Sequence, residues 1–243
     1  MSATVIIPTT GSRELYQAIE SVLKQTYPTT CYVVADGLEY VHTVKMTIKS
    51  LEYKNIDTSN IKLCNLPINV GAKGFYGHRV YAAFSHLVNE EYVLFLDQDC
   101  WFDNNHVGEC VVKIKQKNLD WSYSLRKIVD KEGNFLFNDD CDSLGEYPSW
   151  KYGQKFVDMN CYLFKNCVIS QTAHVLFDLV RTYDGDKNLF KEVSNRFPNF
   201  AGTGKYTVNY RMTRPNQEDW YREGNEIIRK QYSLNFPWSN NDN

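Results

Sequence analysis

The apolar positions of the first hundred residues change period in strict alternation. "ATVIIP" (3–8) is a continuous β-branched run, the pattern of a strand buried on both faces. "SRELYQAIESVLKQT" (12–26) follows with Leu15, Ile19, Val22 and Leu23 at helical spacing and Ser12 as candidate N-cap. "CYVVAD" (31–36) then predicts a strand, 41–52 a helix, "IKLCNL" (61–66) a strand, 73–89 a helix and "YVLFLD" (92–97) a strand. Such alternation predicts βαβ units and an α/β fold: a mostly parallel central sheet with helices on both faces. Ligands of these sheets dock at the carboxyl ends of the strands.

The second half is less regular. "DWSYSLRKIVDKEGNFLFND" predicts two strands joined at Glu132-Gly133-Asn134, and "GEYPSWKYG" (145–153) an aromatic loop. A strand over 156–164, helices near 166–181 and 186–196, a strand "YTVNYRM" (206–212) and an amphipathic helix from Asn216 complete the pattern. Gly224 argues against that last helix, since glycine costs roughly 1 kcal/mol within one. "SNNDN" reads as a frayed tail. Without repeats or a Ser/Gly/Pro linker, the expectation is one unit over 1–243, with a nucleotide-binding half at 1–103 and an irregular acceptor-side half at 104–243.

Composition narrows the function classes. Net charge is -2, with 27 basic against 29 acidic residues, so no general nucleic-acid grip is expected. Seven cysteines without CxxC pairs disfavour a disulfide framework or a zinc knuckle, and thiol catalysis lacks a partner histidine at a recognisable spacing. Neither a signal-peptide pattern nor a membrane-length apolar run is found, so the expected setting is cytoplasmic, with peripheral membrane attachment compatible.

The chemistry concentrates in "LFLDQDCW", where Asp97 and Asp99 flank Gln98 at the end of the fourth strand. Two carboxylates about 4 Å apart repel by roughly 4 kcal/mol at an effective dielectric of 20, so they need a cation, a proton or solvent. Mg²⁺ or Mn²⁺ held by such a pair together with substrate phosphates fits a nucleotide-diphosphate ligand. Gly71, Gly74 and Gly77 do not form a dinucleotide fingerprint, and no phosphate-binding G-x-x-x-x-G-K-[ST] loop exists. Taken singly, an acidic turn, packing glycines and helix-capping acids are the plainer readings. A lone His174 on a helix reads as packing, and Trp101, Trp150 and Tyr152 could pack or stack on sugar rings.

In combination and in order over about residues 3–103, the motifs resemble those of the GT-A glycosyltransferases, especially glycosyltransferase family 2. "VIIPTTGSRELYQAIESVLKQTYP" is similar to that family's opening strand, turn and helix. The resemblance implies that Pro8, Thr9 and Thr10 border the nucleotide. "VVADG" is similar to the second strand, whose aspartate, here Asp36, would accept from uracil N3–H. "NVGAKGFYGHRVYAAF" resembles the Asn-x-Gly helix start, implying donor contacts from Asn69 and Gly71 and a diphosphate contact from Arg79. The chain departs from the family in reading Ala-Asp-Gly-Leu where Asp-Asp-Gly-Ser is usual, and Gly-His-Arg where Ala-Arg-Asn is common.

What the resemblance implies is an inverting transfer from a UDP-sugar with Mn²⁺ or Mg²⁺. Asp97 and Gln98 would contact the donor, and Asp97 and Asp99 would bind the metal. A late acid at a helix start would be the base, with Asp186 of "YDGDKNLFKEV" first, Asp184 its competitor and Asp158 a second-tier candidate. The acceptor stays open among glycan, lipid-linked glycan, protein and modified base. Nucleotidyl transfer, or a binding module without turnover, are the rival readings; release of UDP separates them.

Overall fold

The computed structural model describes residues 2–177, 184–233 and 235–239. The tail expected over 239–243 lies almost wholly outside these described residues, as does the end, 178–181, of the helix expected near 166–181.

Among the described residues nine strands form one sheet: β1 Ala3–Thr9, β2 Thr29–Ala35, β3 Ile61–Asn65, β4 Tyr92–Phe95, β5 Trp101–Phe102, β6 Trp121–Val129, β7 Phe135–Asn138, β8 Tyr162–Lys165 and β9 Phe200–Arg211. Their order is β3-β2-β1-β4-β8-β6-β9-β5, with β7 paired to β6. The front strands β3, β2, β1 and β4 are parallel to their neighbours. Antiparallel pairings begin where β8 continues the sheet beyond β4, and β6–β7 and β5–β9 are antiparallel as well, while β6 and β9 run parallel. Every residue of β1 and β4 is buried, as expected of strands covered on both faces.

The helices are α1 Leu15–Leu23, α2 Val41–Tyr53, α3 His78–Phe84, α4 His106–Lys117, α5 Asn166–Thr172, α6 Gly185–Arg196 and α7 Gln217–Tyr232. The largest core, centred on Ile6, Ile7, Leu94 and Phe95, fills the space between the sheet and its helices. A second cluster with Leu125, Ile128, Leu144, Tyr221 and Trp238 seats α7 on the rear strands. Each large apolar side chain so buried contributes roughly 1.5–3 kcal/mol.

Several elements differ from expectation. α1 begins at Leu15 without a side-chain cap, so Ser12 is not its cap. α3 is limited to His78–Phe84 because Lys73, Gly74 and Tyr76 take positive φ and coil the preceding chain into a loop. The strand expected at 156–164 is β8 alone, preceded by a 3₁₀ turn at Met159–Cys161 that Asp158 caps through its bond from the Asn160 amide. β9 starts earlier than expected, at Phe200. The β6–β7 hairpin turns at Gly133 with φ 92°, as its sequence required.

Gly224 lies inside α7 after all. A Cβ there would stand 2.5 Å from Trp150 Nε1 and 2.7 Å from Cys141 Sγ, so packing overrides propensity. All seven cysteines are free thiols. No helix among the described residues is long and apolar enough to cross a membrane.

Candidate active site

β1 lies between β2 and β4, and the chain beyond the carboxyl ends of these three strands surrounds a cleft of about 500 Å³. Asp36 directly follows β2. Its two carboxylate oxygens accept the backbone N–H groups of Val70 and Gly71, each at 2.8 Å. A Cβ on Gly71 would meet Tyr76 O at 2.1 Å, so the loop closes this tightly only with glycine. Asn69 and Gly71 thereby join Asp36 on the cleft wall. Each Asp36 oxygen keeps a second lone pair for a ligand.

Asp97 and Asp99 lie beyond the end of β4 and come together through a turn closed by Cys100 N–H donating to Asp97 O at 3.1 Å. Their carboxylates and Cys100 Sγ offer ligand atoms all within 4.8 Å of one another. Asp97 Oδ1 accepts from Tyr81 Oη at 2.7 Å, and Oδ2 from Asn160 Nδ2 at 3.0 Å. Loss of solvent, then repulsion from Asp99 and Asp158, pushes the Asp97 carboxyl up to about 7. Burial likewise raises Asp99. Burial and the flanking carboxylates raise the Cys100 thiol well above its ordinary value, which leaves the carboxylates as the hard donors.

Gln98 points the other way, into the turn after β1. Its Oε1 accepts from Thr9 Oγ1 at 2.6 Å and from the Thr10 and Ser12 amides at 3.1 and 3.3 Å. Pro8, Thr9 and Thr10 all line the cleft, and Gly77 packs on Pro8. Gln98 therefore shapes this wall, holding the β1 turn against the acidic pair.

Asp158 and Asp186 face the same cleft from the rear half. Asp158 Oδ2 accepts from Arg126 at 2.5 Å. Asp186 opens α6 and stands 4.0 Å from His78 Nε2. Burial first, then Asp158 and Asp97, raises its carboxyl well above the usual range. Burial also holds His78 neutral, with its pKa lowered to about 4. Asp184 and Arg79 do not line the cleft. Asp184 pairs with Lys187 at 3.4 Å, while the Arg79 guanidinium lies 3.4 Å from the centre of the Phe75 ring. Neither His174 nor Trp101, Trp150 or Tyr152 is a wall residue.

The family model described as glycosyl transferase family 2 matches residues 4–202, a span that runs from β1 through α6 and includes the whole acidic cluster. The chain belongs to this family. It is a glycosyltransferase. S. aureus TarS 1–349 in complex with UDP has the same fold, with TM-score 0.65 and 17% identity over 98% of this chain and 67% of that one. The complex of that fragment with UDP-GlcNAc gives 0.64, at 15% identity over 98% and 68%. Against the longer S. aureus TarS structure the values are 0.60 and 15%, over 98% and 40%. The architecture is thus the GT-A fold that the front-half motifs implied. No curated protein sequence matches the chain significantly.

Several cleft residues of this family 2 enzyme escaped the sequence reading: His78, Tyr81, Tyr210, Arg211 and Arg214. Asn160 escaped as well, although its bond to Asp97 builds the site. Two signals were present. Asn160 follows Asp158 by two residues, repeating the D-x-polar spacing of 97–99, and in the strand "YSLRKIV" alternation puts Arg126, rather than Lys127, on the same face as Ser124 and Ile128. Arg211 donates to Asp99 O at 3.0 Å, Lys131 O at 2.7 Å and Gln17 Oε1 at 2.7 Å, so it fastens the acidic turn to α1 and the β6–β7 hairpin.

Proposed function

We propose that the cleft binds a UDP-sugar and transfers the sugar, with inversion, to an acceptor hydroxyl. The observation that carries this reading is that the pair Asp97 and Asp99 and the distant Asp186 line one cleft with Asp36 and the β1 turn. UDP and UDP-GlcNAc in the TarS complexes support the donor class. Residues 1–103 form the donor half of this reading and 104–243 the acceptor half.

Pro8, Thr9, Thr10, Asn69 and Gly71 border the nucleotide, and Asp36 takes the uracil N3–H on its spare lone pairs. A divalent cation, Mn²⁺ or Mg²⁺, fits Asp97 and Asp99: two hard oxygen donors, both pushed toward protonation first by burial, Asp97 also by the neighbouring carboxylates. When bound, it neutralises the pair and offsets charge developing on the departing diphosphate. Asp186 takes the acceptor proton. Its raised carboxyl makes it a stronger base than a solvated aspartate, matched to a hydroxyl that is a weak nucleophile at neutral pH. Attack from the Asp186 side, opposite the diphosphate, inverts the anomeric carbon. Asp158 holds the floor between the two sites. Arg211 and Arg214 line the cleft where Arg79 does not, and in this reading they add positive charge beside the diphosphate. Seven free thiols fit a reducing, cytoplasmic setting, with peripheral membrane attachment compatible.

Incubation with UDP-sugars and Mn²⁺, with and without chelator, tests the reading. UDP release that needs the metal and is lost in Asp99→Ala supports it. No UDP from any donor, or release indifferent to Asp99, overturns it.

A further inference from the structure

Asn160 is fully buried in the 3₁₀ turn before β8, and every polar group of its carboxamide is spent on the acidic cluster. Its Oδ1 accepts from the Asp97 backbone N–H at 2.6 Å. Its Nδ2 donates to Asp97 Oδ2 at 3.0 Å and to Asp158 Oδ1 at 2.7 Å. The amide thus holds the main chain and the side chain of Asp97 at once, which fixes both where the carboxylate starts and which way it rotates. The opposite amide flip would turn Oδ1 toward two carboxylates, so only this orientation suits the site.

Asn160 is itself held. The second oxygen of Asp158 takes Arg126 Nη1 at 2.5 Å. Arg126 is buried in β6 and also donates to Asp139 at 2.7 Å, Asp142 at 3.0 Å and the Tyr221 hydroxyl at 2.8 Å. Tyr221 lies on α7. An unbroken series of hydrogen bonds therefore runs from the last helix through Arg126, Asp158 and Asn160 to Asp97. A buried arginine with this many partners costs a large desolvation penalty, and an apolar core of equal volume would serve stability as well or better. The arrangement makes sense where direction matters. Tyr81 holds one Asp97 oxygen and Asn160 the other, leaving the remaining lone pairs to meet those of Asp99.

We propose that Asn160 is the positioning residue of the divalent-cation site, aiming Asp97 at Asp99, and that Arg126 anchors it through Asp158. This rests on the reading of Asp97 and Asp99 as cation ligands. Groups that orient metal ligands in this manner are typically worth 10–100-fold in metal affinity.

The test is Mn²⁺ binding to the full chain by titration calorimetry, with near-UV circular dichroism as a check of folding. Wild type binds Mn²⁺, and folded Asn160→Ala shows a Kd raised about 10–100-fold. In steady state the same variant needs more Mn²⁺ for half-maximal rate but approaches the wild-type kcat when Mn²⁺ saturates. Asn160→Ser, which keeps a hydroxyl donor, falls between the two. Arg126→Lys, which keeps the charge but not the fork, weakens Mn²⁺ in the same direction. A merely structural asparagine would lower the melting temperature and leave Mn²⁺ affinity alone. Unchanged Mn²⁺ affinity in folded Asn160→Ala overturns the proposal, and if that variant does not fold, unchanged affinity in Asn160→Ser or Arg126→Lys does so. Should wild type itself bind no Mn²⁺, the cation reading beneath it falls first.

Discussion

The imidazole of His78 packs directly on the backbone of Gly185: a Cβ at 185 would stand 2.6 Å from His78 Nε2. The residue preceding the proposed base thus has room for no side chain, and α6 starts hard against α3. Gly185→Ala is expected to push the start of α6 outward and lower kcat by about 10–100-fold, since displacements near 1 Å at a reacting group carry costs of that order. Donor KM, set by Asp36 and the β1 turn in this reading, should stay within about twofold. Steady-state kinetics at saturating Mn²⁺ checks this, and a wild-type kcat would show that the contact has no bearing on the base.

Asp184 and Asp186 separate cleanly by position. Asp186 faces the cleft, whereas Asp184 pairs with Lys187 outside it. Asp186→Asn should lose about 10²–10⁴ in kcat while retaining UDP affinity, as expected for removal of a general base. Asp184→Asn should keep near wild-type kcat. The reverse ranking would move the base to Asp184.

Stability should respond to pH and Mn²⁺ in opposite senses. The folded protein holds the Asp97 proton up to about 7, against an ordinary 3.8, and Asp142 likewise to about 7. Such raised acids contribute stability that is complete below the ordinary value and lost as pH rises through about 7. Burial holds His78 and His106 neutral, which acts oppositely as pH falls below 6.5, so the informative window is neutral to mildly alkaline. Thermal melts in chelator should therefore drop in midpoint from about pH 6.5 to about pH 8.5, whereas the gain from added Mn²⁺ should grow over the same range, because protons compete with the cation for Asp97. A metal-induced gain that is flat with pH contradicts the assignment of Asp97.

Gly224→Ala should destabilise the enzyme even though alanine is the better helix former by about 1 kcal/mol. The added methyl meets Trp150 and Cys141 within 2.7 Å, and overpacking typically costs about 1–3 kcal/mol. Urea unfolding should show a lower midpoint with an unchanged slope. A higher midpoint would mean that Trp150 moves aside without strain.

The sequence by itself determined the parallel front half, because the switch between strand and helix periods is a local property of side chains along the chain. It also located Asp36 after β2 and the pair Asp97 and Asp99 after β4, since a strand end and a tight turn are fixed within a few residues. Tertiary structure decided the rest. Asp184 and Asp186 share one helix start, and only the packing of α6 on His78 selects which carboxylate enters the cleft. Arg79 sits within a motif that pointed to phosphate, yet Phe75 holds its guanidinium elsewhere. Asn160 and Arg126 reach Asp97 only because β8 lies between β4 and β6, an antiparallel register that no local pattern encodes. Periodicity tells a residue which face it belongs to; which polar groups meet across that face depends on the order and register of strands distant in sequence.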